Sequence, residues 1–515
     1  MVRPILLHNV RLPLSHQWKD TTVEILMDGQ MIRSIQPQVV LGKDQEREVE
    51  RIDGGGRVVL PGFVDAHAHL VQTALAAPGA DLSPATTIAE ALDLLRQYAK
   101  RSSASVVYGH TFDPSALKEH RYFTLDELDS LEDVVKGRVV WVPRRDYHSA
   151  VVNRTALKVI PFPKDGVGIE LSEDGKTPSG ILKHQAAGAA MDYYHGALSP
   201  AERQRAIREL CKKIVARGIT TVHVLEEPSL MNALLPIRDA LPLDTVPYTS
   251  TLDVSIPLAN GFQKIGGCEC TSTDGSFSSH TAALDEPYYD RPEERGVLYF
   301  EDEQLFAFVE EAHAKGLQIC LHALADRAVA QVLDAYENAL KKHPRDDHRH
   351  RIEHAELIRP EDYQRISEGK FYLSMQPVFE GIWGGPEGMY AQYLGPERRK
   401  RTNTFREWWD LGVVIAGGSD ANVTPFDALA GIHWLVNNPN EEQRLTVGEA
   451  IQVFTENGAK IAFEDTVKGW GVPGFQADLV VLEENPFDVP QRIKEIDVAL
   501  TFHRGQKVYQ KQPAG

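Results

Sequence analysis

Short runs rich in Val, Ile, Leu and Tyr alternate along this chain with longer segments whose apolar residues recur at three and four. The first pattern belongs to buried strands and the second to amphipathic helices. The strand-like runs are FVDAHAH (63–69), TTVHVL (220–225), VPYTSTL (246–252), CECTST (268–273), LQICLHAL (317–324), RIEHAEL (351–357), FYLSMQP (371–377) and VVIAGGSD (413–420). Helical patterns such as PAERQRAIRELCKKIVARG (200–218), EDEQLFAFVEEAHAKG (301–316) and DRAVAQVLDAYENALKK (326–342) fall between many of them. Eight such repeats predict an α/β fold built on a (β/α)8 TIM-type barrel over residues 61–466. A doubly wound sheet fits less well, because chemistry-bearing residues collect at the strand ends.

Two regions depart from the barrel pattern. Residues 1–60 and 467–515 carry short, turn-punctuated β runs, among them TTVEILMDG, RVVLP, ADLVVLEE and VALTFHRG. They predict one small composite β-sandwich or sheet made from both ends of the chain. The stretch from about 75 to 198 is too long for a strand-to-helix connection. Its own helix (TTIAEALDLLRQYAKR) and strands (SVVYGH, GRVVWVPR) predict an inserted subdomain after the first barrel strand.

Composition narrows the function classes. The 515 residues are 42% hydrophobic and 25% charged, as in an ordinary globular protein. A formal net charge of −18 argues against nucleic-acid binding, and the short basic run ERRKRT (397–402) reads as a solvated loop. Four cysteines give no disulfide framework. The first residues lack the apolar core of a signal peptide, and no run is apolar enough to span a membrane. The expectation is a cytoplasmic protein acting on a small molecule, without nucleic-acid or membrane partners; a homodimer stands open as its assembly.

The candidate chemistry starts in PGFVDAHAHL (61–70). On a strand, His67 and His69 project to the same side. His322 in the fifth strand, His354 in the sixth and Asp420 after the eighth would then gather at the same end of the barrel, where active sites of this architecture lie. Each histidine alone could be an ordinary core residue. Together they predict a metal site, since imidazole is the commonest zinc ligand and a carboxylate can also move protons.

Several motifs in order give the chain a family likeness: PGFVDAHAHL, DYHSAVVNRTAL (146–157), DGSFSSHTAALDEPYYDRPEERG (274–296), LHALADRA (321–328), RIEHAEL, SMQP, GGSD and PGFQADLVVLEENPF (473–487). With these the chain resembles the amidohydrolase superfamily of metal-dependent hydrolases, in the branch called the YtcJ-like or amidohydrolase-3 group. The resemblance implies a barrel with a composite β-domain, one or two divalent ions, here expected to be zinc, and hydrolysis of an amide, formamide or cyclic amide bond other than a peptide bond. It carries over onto His67, His69, His322, His354 and Asp420.

Many relatives place a lysine on the fourth strand, four residues before Asp-Gly-Ser. Counting back from Asp274 gives Cys270, whose thiolate would be a good zinc ligand. Glu269 and Lys264 are its rivals, and an inert buried Cys270 beside a single metal is the plainer alternative. In the expected mechanism a metal-activated water attacks the carbonyl, with Asp420 taking the proton and passing it to the leaving nitrogen. His148 is a candidate substrate contact. So is Trp383, within the aromatic stretch VFEGIWGGPEGMYAQYLGPERRKRT (378–402), which suits a flat or apolar substrate or else packs against the rest of the protein. No nucleotide-binding fingerprint is present. The alternatives are a ring-amidine deaminase on the same scaffold and an inactive barrel serving as a binding or assembly protein.

Overall fold

A computed structural model describes residues 3–13, 21–42, 46, 48–76, 79–145, 147, 149–164, 166–172 and 174–512. Its centre is an eight-stranded parallel sheet: β1 (Phe63–Ala68), β2 (Ile219–Glu226), β3 (Asp244–Thr249), β4 (Lys264–Ser272), β5 (Gln318–Ala323), β6 (Arg351–His354), β7 (Tyr372–Met375) and β8 (Ile415–Gly417). Each strand pairs with the next in sequence. Ala68 bridges Ala421 in parallel, and Asp420 N donates to His67 O at 2.8 Å, so the end of β8 meets the end of β1 and the sheet closes into a barrel. This closure needs Gly418, because a Cβ there would lie 2.5 Å from the Cβ of His67. Strands such as Gln318–Ala323 are buried on both faces, as parallel strands covered by helices must be.

The strand expected at 268–273 runs instead over Lys264–Ser272, and its latter half is distorted. Gly266 pairs with Cys320 and Gly267 with Leu321, but the next pairing is Ser272 with His322. Residues 268–271 therefore form a bulge, a device that re-aims side chains near functional sites. Gly266 has φ +102, and a Cβ there would lie 1.9 Å from Cys320 O. Such a backbone course is open only to glycine.

A second sheet joins both chain ends, in the order 506–510, 498–503, 479–482, 58–61, 5–11, 22–28 and 31–36, with 50–53 also paired to 5–11. Residues 71–207 form a separate compact unit. It holds a six-stranded sheet and the helix Ile88–Arg101, whose N-terminus is capped by the Thr87 side chain accepting from Glu90 N. Among the described residues no helix is long and apolar enough to cross a membrane.

Near the start of β5 and β6, buried histidines form a chain whose tautomers are fixed by their partners. His350 Nδ1 accepts from Ile319 N at 3.0 Å, so its Nε2 donates to His313 Nδ1 at 2.9 Å, and His313 Nε2 donates to His343 O at 2.6 Å. His348 Nδ1 accepts from His350 N, and its Nε2 donates to Gly369 O. Every ring nitrogen is used by the neutral form. Burial, with the Arg345 charge nearby, holds these histidines below their ordinary range, His348 at about 4. The unfolded chain binds protons near pH 6.5 and the folded chain only near pH 4, so stability is present above pH 6.5 and lost as the pH falls between them. For His348 alone the loss at pH 5 is about 2 kcal/mol. Thermal melts at pH 7.5 and 5.0 should show a clearly lower midpoint at pH 5.0, and a smaller drop in His348→Gln. An equal drop in the variant would remove His348 from the account.

Candidate metal centre

The carboxyl ends of the strands bring the expected histidines together. His67, on β1, and His69, just past its end, lie two apart with ring centroids 5.6 Å apart. The rings of His67 and His354 are 4.8 Å apart, and those of His322 and His354 4.4 Å. His354 has φ +69, which breaks strand alternation and lets adjacent Glu353 and His354 both reach the His67 ring. Asp420, also left-handed at φ +51, sets Oδ1 3.3 Å from Nε2 of both His67 and His69.

Outward partners fix which nitrogen each ring turns inward. Nδ1 of His67 donates to Glu353 Oε2 (2.7 Å), that of His69 to Leu225 O (2.8 Å) and that of His354 to Gln376 Oε1 (2.8 Å). Each Nε2 is therefore the nitrogen turned toward the centre, and it would present its lone pair there whenever the ring is neutral. His322 is reversed: its Nε2 donates to Gly275 O at 3.1 Å, leaving the lone pair on Nδ1. The loop that receives it is clamped by Asp274, which accepts backbone N–H groups of Ala283, Leu324 and Ala325.

The fourth strand differs from the count back from Asp274. Cys268, not Cys270, faces the histidines, with Sγ 3.5 Å from His67 Nε2 and 3.8 Å from His354 Nε2. Cys270 is turned away, its thiol donating to Ser250 O at 3.3 Å, and burial pushes that thiol up to about 11. The bulge is the reason. It is pinned by Ser250 Oγ donating to Cys268 O and by Thr271 Oγ1 donating to the same oxygen at 2.9 Å. Glu269 sits within it at φ +52, with Oε1 3.2 Å from His69 Nδ1. Lys264 is at the opposite end of the strand, its Nζ 5.8 Å from the Phe463 ring, and takes no part in the centre.

Charges pair within the ion-free centre, and a cation would take the place of the imidazole protons there. Burial opposes ionisation of Cys268, but the His67 charge and contacts with His322, His354 and His67 pull the thiol well below its ordinary range. Burial likewise opposes Asp420 ionisation, and hydrogen bonds from His67 and His69 bring it below the usual carboxylate range. His67 is raised well above its ordinary range despite burial, by Cys268, Asp420 and Glu353. An anionic sulfur and carboxylate ringed by imidazoles form a soft-to-borderline donor set suited to a zinc-like divalent ion. His67, Cys268 and His354 have ligand atoms within 4.8 Å of one another, as do His67, His69 and Asp420. The two groups share His67, an arrangement that accommodates one or two ions. A third group, Asp244, Asp478 and His503, is already neutralised by Lys468 Nζ and Arg504 Nη2 at 2.5 and 2.6 Å from Asp244.

Around the centre, Phe379 stacks 6.4 Å from the His354 ring and meets Trp383 edge-on at 4.8 Å; Trp383 is partly buried in a cluster with Tyr288, Tyr390 and Leu394. Tyr390 OH donates to Glu356 Oε2 at 2.5 Å, and burial pushes that carboxyl up to about 8. His148 lies outside the described residues. Sequence reasoning passed over Cys268, Glu353, Gln376 and Arg351. The paired glycines before Cys268 signal a bulge, and the alternation of Arg351 and Glu353 in RIEH signals two inward side chains.

Comparison with known proteins gives the chain a family and its fold solved counterparts. The model of a family described as the amidohydrolase family matches residues 50–509. A Bacillus subtilis protein named as an amidohydrolase, YtcJ, is 28% identical over 503 residues, covering 90% of this chain and 91% of its own. The N-substituted formamide deformylase of Arthrobacter pascens is 24% identical over 529 residues, covering 95% of each. A crystal structure of a metal-dependent hydrolase from Pyrococcus horikoshii OT3 superposes with a TM-score of 0.77 at 23% identity, over 95% of this chain and 99% of that one.

Proposed function

Since the chain belongs to the amidohydrolase family, we propose that it hydrolyses a C–N bond of an amide, formamide or cyclic amide in a small substrate with an aromatic or apolar group. The observation that carries this is the gathering of His67, His69, Cys268, His354 and Asp420 into two buried ligand groups that share His67 at the carboxyl ends of the strands. His322 stands beside them, its ring 4.4 Å from that of His354. A divalent ion held there supplies Lewis acidity and a water acidified toward neutral pH. Asp420 would hold a proton on its carboxylate and deliver it to the leaving nitrogen, a role suited to a charged carboxylate whose backbone is fixed by its N–H on His67 O. The imidazoles turn Nε2 inward because Glu353, Leu225 O and Gln376 take their Nδ1–H groups. Phe379 and Trp383 offer an apolar wall for the group attached to nitrogen. The deformylase likeness favours N-substituted formamides as first substrates.

The test is a screen of zinc-loaded protein with N-formyl and N-acyl aryl and alkyl amines, cyclic amides and ring amidines. Release of amine with formate or another carboxylate, lost on chelation, is expected. Ammonia from ring amidines with no amide turnover would move the assignment to a deaminase.

A further inference from the structure

Inside the barrel, beneath the histidines, lies a charged pair with no direct part in holding an ion. Arg351 and Glu353 lie two apart on β6, so both point inward, and both are fully buried. Arg351 Nε donates to Glu353 Oε1 at 2.6 Å and Nη2 to Oε2 at 2.7 Å, a two-pronged grip. Glu353 Oε2 in turn accepts His67 Nδ1–H at 2.7 Å. Arg351 Nη2 also donates to Ala66 O at 2.7 Å, holding the backbone just before His67. Nη1 donates to His223 Nδ1 at 3.0 Å, and the guanidinium lies 4.4 Å from the Tyr248 ring centroid. Four strands, β1, β2, β3 and β6, thus converge on one guanidinium.

We infer that Arg351 and Glu353 are positioning residues for the metal centre: Glu353 fixes the His67 ring with Nε2 inward, and Arg351 fixes both Glu353 and the backbone that presents His67. Two features set this pair apart from ordinary barrel filling. A buried ion pair contributes little net stability compared with apolar residues of the same size, so stability alone does not call for one here. The pair is also aimed: the one carboxylate oxygen beside His67 is the oxygen that takes its Nδ1–H, and it is gripped by the same Arg nitrogen that holds Ala66 O. His67 is the ligand shared by both candidate ligand groups, so its orientation bears on either ion. Outer partners of this kind typically alter metal affinity 10–100-fold.

The inference rests on the metal-dependent reading, and the experiment separates the two. Apo-protein prepared with a chelator and dialysed would be titrated with Zn²⁺ against a competing chromophoric chelator, with thermal midpoints recorded for each variant. Glu353→Gln keeps an acceptor for His67 but leaves Arg351 unpaired, so it should lose both stability and about 10–100-fold in zinc affinity. Arg351→Met/Glu353→Gln removes the unpaired charge and should recover the melting midpoint, yet still bind zinc about 10–100-fold more weakly than wild type. If the double variant is as stable as wild type and binds zinc equally well, the pair is barrel filling and the inference falls. If either variant fails to fold, Arg351→Lys, which keeps the charge without the fork, carries the test: wild-type affinity overturns the inference and weakened affinity at an unchanged midpoint supports it. Wild-type protein that takes up no divalent ion overturns the metal-dependent reading and the inference with it.

Discussion

Asp420→Asn should lower kcat by about 10²- to 10⁴-fold while the protein stays folded. The amide keeps the shape of the carboxylate and tolerates the left-handed backbone at this position, φ +51, better than most residues. What it loses is the ability to hold and return a proton at neutral pH. Because Asp420 Oδ1 also lies 3.3 Å from Nε2 of both His67 and His69, part of the loss can come from weaker metal binding. Metal content measured beside the rate separates these: the proton role requires a large fall in kcat at unchanged occupancy. Near-normal turnover on a good substrate would take Asp420 out of the chemistry.

The second large effect concerns the bulge in β4. Cys268→Ser replaces a thiolate that faces His67 and His354 with a hydroxyl, a poor zinc ligand at neutral pH. Zinc affinity should fall by more than the 10–100-fold typical of an outer partner. Cys270→Ser, by contrast, should keep the metal, since its Sγ rests on Ser250 O outside the ring of histidines. Lys264→Ala should also keep it, and activity should not depend on bicarbonate, because that lysine lies at the far end of the strand. Retained metal in Cys268→Ser with loss in Cys270→Ser would mean the strand runs in a different register.

Much of the fold could be read from period alone. Apolar runs of four to eight residues separated by amphipathic helices are direct consequences of parallel strands covered by helices, and the histidine pair at the end of β1 follows from a two-residue repeat. The fourth strand was less legible for a physical reason. A count along the sequence assumes one residue per step of the ladder, whereas Gly267 and Ser272 sit against the consecutive residues Leu321 and His322. Likewise His354 reaches the centre only because its left-handed backbone overrides the alternation that would set it opposite Glu353. Hydrophobic pattern is blind to both. It is also blind to Glu353, Leu225 O and Gln376, whose role is to select a tautomer and which lie 286, 156 and 22 residues along the chain from the ring each one holds.

The central claim is that these side chains hold a divalent metal required for hydrolysis. The most direct measurement is elemental analysis of protein purified without chelator, wild type beside His67→Ala/His69→Ala, with amide turnover recorded on the same samples. Wild type should carry one or two equivalents of a divalent ion, zinc foremost, and the double variant close to none, with turnover lost in parallel. Equal and negligible metal in both, or amide hydrolysis by metal-free wild type, would contradict the account.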